Sequence, residues 1–186
     1  MENLNKLRKL YQLKTVERAC SVSGRKESTA EHSWSCLILA DYFLSSMKKP
    51  KLDRLKVYEL LLYHDVVEIE AGDVNITNEK LQKNKEKREQ EAMDVLKENI
   101  PPVLKDKFVA MFTEFEEKKT IEARFAKAID ALDAEIHELD YPADWKGWTE
   151  EFLRRKKQPL FDDFPELRAT FEKTIEFCRK NGYFDQ

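Results

Sequence analysis

The chain is 186 residues long, the size of one ordinary domain. It contains only 4 glycines and 6 prolines, too few for the turns of many short strands, so the composition favours helices. The formal net charge of -3 argues against a protein that coats a nucleic-acid polymer through a broad basic face. No stretch reaches the roughly 20 apolar residues of a membrane helix. The 3 cysteines indicate neither a disulfide framework nor a cysteine-based zinc site, so we expect a cytoplasmic protein.

Apolar residues at helical spacing predict the first two helices. The first covers about residues 3–13, and residues 14–27 look like a loop because they show no period. Ser28 is followed three residues later by Glu31, which is the spacing of a capping box. The second helix is therefore expected to begin there and to continue to about Met47.

The third predicted helix, over residues 53–72, is apolar on nearly every face, as expected for a central buried helix that Gly72 ends. A mostly solvated helix is predicted over residues 78–99, and we interpret its charged run at residues 83–88 as a solvated face. Further helices are predicted after the cap-forming or helix-opening residues Pro101, Thr120, Thr149 and Pro165. The expected fold is one all-α domain over residues 1–186, whose C-terminal helices at residues 147–182 pack on the rest.

Three groups of aromatic residues follow helical spacing or cluster in the chain. Two of them are predicted to lie in the core or in a subunit interface: Trp34, Tyr42 and Phe43, and Phe108, Phe112 and Phe115. The third group could line a nucleobase pocket, but we favour packing of a turn against the bundle: Tyr141, Trp145 and Trp148.

The apolar third helix contains His64, Asp65 and Glu68. An unpaired carboxylate in such surroundings costs several kcal/mol or takes up a proton, so something must compensate it. A salt bridge at the edge of the core is the simpler explanation for a lone His-Asp pair. Glu68 follows His64 by four residues, which predicts that both side chains lie on one helix face, one turn apart.

Two further residues strengthen a metal-site hypothesis. His32 stands at the start of the second helix, and the chain has only 3 histidines. Asp130 is again an acid inside an apolar helical stretch, with Asp133 one turn later as an alternative. Two imidazoles and two carboxylates suit Mn, Fe, Co, Mg or Zn with positions left open for water and phosphate oxygens. His137 lies too far along the helix and is interpreted as structural or exposed.

Three sequence segments resemble the HD-domain superfamily of metal-dependent phosphohydrolases, and more closely its 5′-deoxynucleotidase branch. They are residues 25–33 (RKESTAEHS), 64–73 (HDVVEIEAGD) and 127–132 (KAIDAL). The resemblance covers about residues 4–140 and implies a helical bundle of the HD-domain type. It favours Asp130 over Asp133 as the ligand, because Asp130 holds the family position in the last segment.

The resemblance implies a role for each matching residue. One divalent metal ion is expected on His32, His64, Asp65 and Asp130. Glu68 is expected to activate water and Asp73 to act in catalysis and in sugar binding. Arg18 and Arg25 are the expected phosphate contacts. One position departs from the branch, which has a tryptophan after the first arginine where this chain has Ala19, so the preference for deoxyribose stays open.

The resemblance implies a phosphomonoesterase whose substrate is a small nucleotide, namely a nucleoside or deoxynucleoside 5′-monophosphate. It also implies that the protein is a homodimer. Three other substrates of HD-type hydrolases remain open: guanosine tetraphosphate, a cyclic nucleotide and a deoxynucleoside triphosphate. A rival of another class is a non-catalytic helical interaction module that uses the metal as a structural staple.

Overall fold

The structure, a computed structural model, describes residues 1–74, 76, 78 and 83–185. Most of this part of the chain is helical, which confirms the predicted all-α class. Its α-helices are α1 (Glu2–Leu10), α2 (Thr29–Ser46), α3 (Arg54–Tyr63), α4 (Glu68–Ala71), α5 (Lys85–Asn99), α6 (Pro102–Glu117), α7 (Ile121–His137), α8 (Glu150–Lys157) and α9 (Pro165–Lys180). Short 3-10 segments lie at Tyr11–Thr15, Glu138–Asp140, Pro142–Trp145 and Gln158–Phe161. None of the described helices is long and apolar enough to span a membrane.

Side-chain caps fix where several helices begin, at residues that the sequence predicts. Ser28 Oγ accepts a hydrogen bond from the N–H of Glu31, and the Glu31 carboxylate accepts one from the N–H of Ser28, so the capping box is formed. Asp53, Thr120 and Thr149 cap α3, α7 and α8 through single side-chain hydrogen bonds. These caps satisfy N–H groups that the first turn of a helix leaves without partners.

The predicted loop over residues 14–27 is wrong, because much of it forms a two-stranded antiparallel ribbon. Strand β1 (Glu17–Val22) pairs with β2 (Arg25–Ser28). The connecting Ser23 and Gly24 both have positive φ, 45° and 81°, as a tight two-residue hairpin turn requires. The strands lack apolar alternation, so the Ser-Gly dipeptide was the only sequence signal for the turn.

Tertiary hydrogen bonds hold this ribbon against the end of α7. Asp144 accepts hydrogen bonds from the Ser21 N–H (2.7 Å) and from the Ser21 hydroxyl (2.9 Å). His137 Nε2–H donates to the Ser21 carbonyl at 2.8 Å. His137 therefore has a structural place, in keeping with its interpretation from the sequence.

The third predicted helix is interrupted, and the expectation that His64 and Glu68 share one regular helix face is wrong. Helix α3 ends at Tyr63, a turn follows, and Glu68 begins the short helix α4. In the turn the Glu68 N–H donates to the Asp65 carbonyl (2.9 Å), a bond across three residues instead of four. The apolar pattern continues through the turn, so spacing could not reveal the break. Gly72, with φ 72°, ends α4 as predicted.

The helix predicted over residues 78–99 begins later among the described residues, at Lys85. Leu81, expected on its apolar face, lies outside the described residues. The charged run at residues 83–88 is not uniformly solvated. The Arg88 guanidinium donates to the Ala71 carbonyl and ties α5 to the end of α4.

Helix α7 lies at the centre of the bundle and contacts α2, α3, α6 and α9. Its residues Phe125, Ile129 and Leu132 are fully buried, as the spacing predicts. Buried apolar residues from Leu13 to Cys178 form one cluster around it. Side chains that leave α7 on its remaining face therefore project from a rigid, packed element.

The burial predicted for the aromatic residues is confirmed for some of them and wrong for others. Phe43, Phe108, Phe112 and Phe115 are buried as expected. Trp34 and Tyr42 are 65% and 64% exposed, so the core assignment is wrong for both and the interface alternative remains. Ile38, which lies between them on α2, is also exposed, and the three side chains form an apolar stripe at i, i+4 and i+8.

We expect Leu60→Ala to lower the free energy of unfolding by about 2–5 kcal/mol, because Leu60 is fully buried and its removal leaves a cavity beside the site-bearing turn. Leu55→Ala on the same helix is the control, since Leu55 is 67% exposed. Its effect should stay within about 0.5 kcal/mol. Urea unfolding measures both; equal losses would contradict the packing described for α3.

Candidate metal centre and substrate cavity

His32 lies one turn inside α2 and is fully buried. Its Nδ1–H donates to Asp133 Oδ2 (2.9 Å), and its Nε2 lies 3.1 Å from Asp130 Oδ1. Burial and the nearby Arg18 act to lower the pKa of His32, but hydrogen bonds with the two carboxylates outweigh them and raise it well above its ordinary value. The Nε2 position thus attracts positive charge, which a proton or a metal ion can supply.

His64 presents a lone pair to a carboxylate. Its Nδ1 lies 2.8 Å from the Leu61 carbonyl, which can only accept, so Nδ1 carries a proton, and in the neutral tautomer the lone pair is then on Nε2. This Nε2 is buried, has no hydrogen-bond partner among the described residues, and lies 3.0 Å from Asp65 Oδ2. Two electron-rich atoms at this distance repel each other unless a cation lies between them. The arrangement fits a metal ion.

Asp65 and Asp130 bring two carboxylates to the same point. Asp65 comes from the turn after α3 and its Oδ2 lies 3.8 Å from His32 Nε2, whereas Asp130 comes from the middle of α7. Burial acts to raise the pKa of Asp130, but Lys127, whose Nζ lies 2.9 Å from Asp130 Oδ2, holds that pKa well below its ordinary value. The two imidazoles and two carboxylates therefore converge from three parts of the chain as a mixed N/O donor set.

The geometry distinguishes Asp130 from its alternative, Asp133. Asp133 binds Nδ1 of His32, on the far side of the ring from Nε2, and also accepts a hydrogen bond from Ser35 Oγ at 2.7 Å. A carboxylate in that position fixes the orientation and tautomer of a histidine ligand. Asp130 lies on the Nε2 side, where His64 and Asp65 also point.

Cys36 is a neighbour of the site that the sequence did not single out. Its ligand atom lies within 4.8 Å of those of His32 and His64, and its Sγ is 3.7 Å from Nδ1 and 3.6 Å from Nε2 of His32. Burial raises the pKa of the Cys36 thiol to about 12. Without a metal ion the Cys36 side chain is therefore a neutral thiol at neutral pH.

A cavity of about 340 Å³ opens beside the four converging side chains, and Asp65 and Asp130 are part of its wall. Glu68 and Asp73 also line it. Thr29 Oγ1 donates to Glu68 Oε2 at 2.9 Å. Burial, with repulsion from Asp65 and Asp73, raises the pKa of Glu68 well above its ordinary value. A carboxylate with this high proton affinity is suited to accept a proton from water.

Arg18 projects from β1 into the same cavity. Its Nε donates to Glu27 Oε2 at 3.1 Å, and one terminal nitrogen lies 3.6 Å from Asp65 Oδ2. Burial acts to lower the pKa of Arg18, but Asp65 and other acids raise it further, so the guanidinium is always charged. The ribbon that the sequence did not predict is thus the element that carries this cation to the site.

Arg25, the other arginine expected to hold phosphate, is not among the residues that line the cavity. Its side chain is 57% exposed and binds Glu31, the acid of the capping box. In this conformation Arg25 braces the start of α2 and does not face the metal-ligand side chains.

Several lining residues escaped the sequence reasoning. The cavity wall includes Cys20, Lys85, Glu135, Glu138, Trp148, Lys156 and Lys157. Lys85 belongs to the run interpreted as a solvated face, so that interpretation is wrong for it. Trp148 lines the cavity, although packing was favoured for it, whereas Trp145 is fully buried. Lys127 stood in the resembling segment, but its pairing with Asp130 could be recognised only as i, i+3 spacing.

Comparisons with known proteins identify the family of the chain. An HD-domain family model matches residues 10–168. The human 5′-deoxynucleotidase HDDC2 is 28% identical over 138 residues, which cover 73% of this chain and 66% of that protein. The Xenopus laevis 5′-deoxynucleotidase HDDC2 is 28% identical over 117 residues, covering 63% of this chain and 56% of that protein. The match thus spans less than two thirds of the length of these curated relatives.

Two solved structures share the fold. A crystal structure described as a predicted metal-dependent phosphohydrolase from Magnetospirillum magnetotacticum MS-1 superposes with a TM-score of 0.88 at 29% identity, covering 100% of this chain and 95% of that one. A conserved hypothetical protein from Pyrococcus furiosus, with a TM-score of 0.64 at 23% identity over 95% of this chain and 99% of that one, supports the fold alone. Since the family model covers most of the chain, this protein belongs to the HD-domain family.

Proposed function

We propose that the protein is a metal-dependent phosphomonoesterase that hydrolyses nucleoside or deoxynucleoside 5′-monophosphates to the nucleoside and inorganic phosphate. The observation that carries the proposal is the buried Nε2 of His64, which has no hydrogen-bond partner among the described residues and lies 3.0 Å from Asp65 Oδ2 beside a cavity of about 340 Å³. A cation at this point relieves the repulsion and creates a phosphate-binding end. The relatives named 5′-deoxynucleotidase support a nucleotide as the substrate.

In this proposal His32, His64, Asp65 and Asp130 hold one divalent ion, which is Mn, Co, Mg, Fe or Zn. Such an ion, when bound, supplies Lewis acidity that neutralises phosphoryl charge and lowers the pKa of water. The two imidazoles and two carboxylates form a mixed N/O donor set, which suits these hard and borderline ions.

Glu68 is the proposed acceptor of the proton from the attacking water. Its carboxylate is held by Thr29 and has a raised pKa, so proton transfer to it is favourable. As the phosphorus–oxygen bond to the nucleoside breaks, the 5′-oxygen takes up the proton that Glu68 received from the attacking water, returned directly or through solvent. Asp73, close enough to Glu68 to raise its pKa, is proposed to contact a sugar hydroxyl near that leaving oxygen.

Arg18 is the proposed protein contact for the phosphate. Its planar guanidinium donates in a geometry that fits phosphate oxygens, and the cavity already holds it beside Asp65. Lys127 and Lys85 add positive charge to the same wall. Arg25 could share this role only if the ribbon rearranged to release it from Glu31.

Oligomeric state and compartment stay predictions, namely a homodimer from the family resemblance and a cytoplasmic protein from the cysteine pattern. The exposed stripe of Trp34, Ile38 and Tyr42 on α2 is a suitable contact for a second copy, because an apolar helix face of this size is costly to leave in water. Analytical ultracentrifugation of the purified protein tests the homodimer.

The test of the function is phosphate release from a panel of ribo- and deoxynucleoside 5′-monophosphates, after the protein is stripped with a chelator and resupplied with Mn, Co, Mg or Zn. We expect release that depends on added metal. Guanosine tetraphosphate, a cyclic nucleotide and a deoxynucleoside triphosphate complete the panel, since their preferential turnover would contradict the monophosphate assignment. Metal binding without release from any substrate would favour the non-catalytic module.

Replacing each of the two acids near His32 by asparagine should distinguish the metal ligand from the residue that orients His32. Asp130→Asn removes an anionic ligand and should abolish stoichiometric metal binding. Asp133→Asn should lower metal affinity about 10–100-fold while leaving one ion per chain at saturation, because it acts through the histidine. Isothermal titration calorimetry and elemental analysis measure both, with exposed Asp140→Asn as the control. The reverse pattern would exchange the two roles.

Glu68→Gln should lower kcat by about 10²–10⁴-fold, since the amide cannot accept the water proton. Metal content should not change, because Glu68 is not a proposed ligand. Glu70→Gln in the same short helix is the matched control, since Glu70 is exposed and pairs with Lys9. Loss of metal from Glu68→Gln, measured by elemental analysis, would show that Glu68 is a ligand instead.

Ala19→Trp should increase discrimination against ribose. Ala19 lines the cavity next to Arg18, and its small side chain leaves space that an indole would take from a 2′-hydroxyl. We expect the ratio of kcat/KM for deoxyribo over ribo substrates to rise about tenfold or more. Ala19→Ser is the control for substitution alone; an unchanged ratio in Ala19→Trp would mean that the sugar lies elsewhere.

A further inference from the structure

The substrate cavity extends well beyond the metal-ligand side chains, along one face of α7. Asp130, Ala131, Ala134, Glu135 and Glu138 all line it. From Asp130 to Glu138 the chain advances eight residues, or about 12 Å at helical rise. The cavity thus has a metal end, at Asp130, and a far end that the proposed hydrolysis does not yet use.

The far end, defined by Cys20, Glu135, Glu138, Trp148 and Lys157, combines an aromatic wall with buried charge. Glu135 and Glu138 are 1% and 7% exposed, and Lys157 is 7% exposed. Trp148 supplies an indole to the same wall. Carboxylates this deeply buried normally have hydrogen-bond donors that match their lone pairs.

The donors at the far end are too few for its acceptors. The three N–H groups of Lys157 are all used, on Glu135 Oε1 (2.6 Å), Glu135 Oε2 (2.8 Å) and the Ala131 carbonyl (3.2 Å). Glu138 Oε1 accepts from the Cys20 thiol at 3.1 Å, which is a weak donor. Lys157 therefore holds Glu135 in place but offers nothing further to a ligand.

The pKa of Glu138 agrees with this shortage. Burial raises it, although the Cys20 hydrogen bond and Lys157 act to lower it. Among these five residues, the Lys157 ammonium and the Cys20 thiol are the groups that donate to the two carboxylates, and neither donates to Glu138 Oε2. A ligand that fills the far end must bring N–H or O–H donors of its own.

The proposed substrate has a part that can do so. With its phosphate at the metal end, the nucleotide directs its base along α7, and a base is flat enough to stack on Trp148. Adenine, cytosine and guanine carry exocyclic amino groups, each with two N–H donors, whereas thymine and uracil have carbonyl oxygens and only one donor at this edge, the ring N3–H between two carbonyls. A carboxylate beside a carbonyl oxygen is repulsive.

We propose that the far end is a nucleobase subsite in which Glu138, beside the Lys157-held Glu135, selects bases with an exocyclic amino group over thymine and uracil. This inference rests on the proposed nucleotidase function and deepens it by naming the substrate class. Glu138 is the specificity-determining residue, because Glu135 already shares its two oxygens with Lys157.

The test compares kcat/KM for dAMP, dCMP, dGMP, dTMP and dUMP in the metal-loaded protein, each divided by the value for base-free 2-deoxyribose 5-phosphate. We expect the amino-bearing substrates to exceed dTMP and dUMP about tenfold. The Gln amide both donates and accepts, so in Glu138→Gln the ratio of kcat/KM for the amino-bearing substrates over dTMP and dUMP should fall towards one. Exposed Glu151→Gln is the control and should keep the wild-type ratio.

Binding of nucleosides to the wild-type protein tests the inference independently, because it needs neither turnover nor a variant. Calorimetry should give a dissociation constant for deoxycytidine about tenfold lower than for thymidine. Equal constants, or equal kcat/KM for all five nucleotides, would overturn the subsite and leave the nucleotidase proposal intact. Turnover of the base-free phosphate without turnover of any nucleotide would instead overturn the proposed function.

Discussion

Concentrated negative charge in an apolar interior is the constraint on which the rest of this structure depends. Asp65 and Asp130 meet two imidazoles where the helices pack, and the buried His64 Nε2 lies 3.0 Å from Asp65 Oδ2 without a hydrogen-bond partner among the described residues. Such a cluster is costly unless positive charge joins it. The contacts around these acids supply that positive charge in two ways, namely through cationic side chains of the protein and through a site that fits a metal ion.

The fixed cations come from separate elements. Lys127 binds Asp130 from one turn earlier on α7, and Arg18 reaches Asp65 from the ribbon. These cations line the cavity, so the charges that stabilise the buried acids are also the charges a phosphate would meet. Compensation of the buried acids and recognition of an anion thus use the same side chains, which is economical in a domain of 186 residues.

Helix α7 organises the cavity because it is packed on most sides and presents one polar face. That face carries Asp130 at the metal end and Glu135 towards the far end, and Glu138 follows in the 3-10 segment directly after the helix. A single rigid helix therefore fixes the distance between the two ends of the cavity, and this distance limits the length of the substrate that can reach both. The ribbon closes the opposite side, held there by Asp144 and His137.

The sequence by itself determined the helical class and the caps at Ser28, Asp53, Thr120 and Thr149, because apolar periods and caps are local. It also indicated the residues brought together around His32, because acids in apolar runs need partners. Only the tertiary structure decided which side of His32 faces Asp130 and which faces Asp133. It also decided that α3 breaks after Tyr63, that Arg18 enters the cavity while Arg25 does not, and that Glu135 meets Lys157. These outcomes depend on contacts between residues distant in the chain and on ring orientation, which local spacing does not encode.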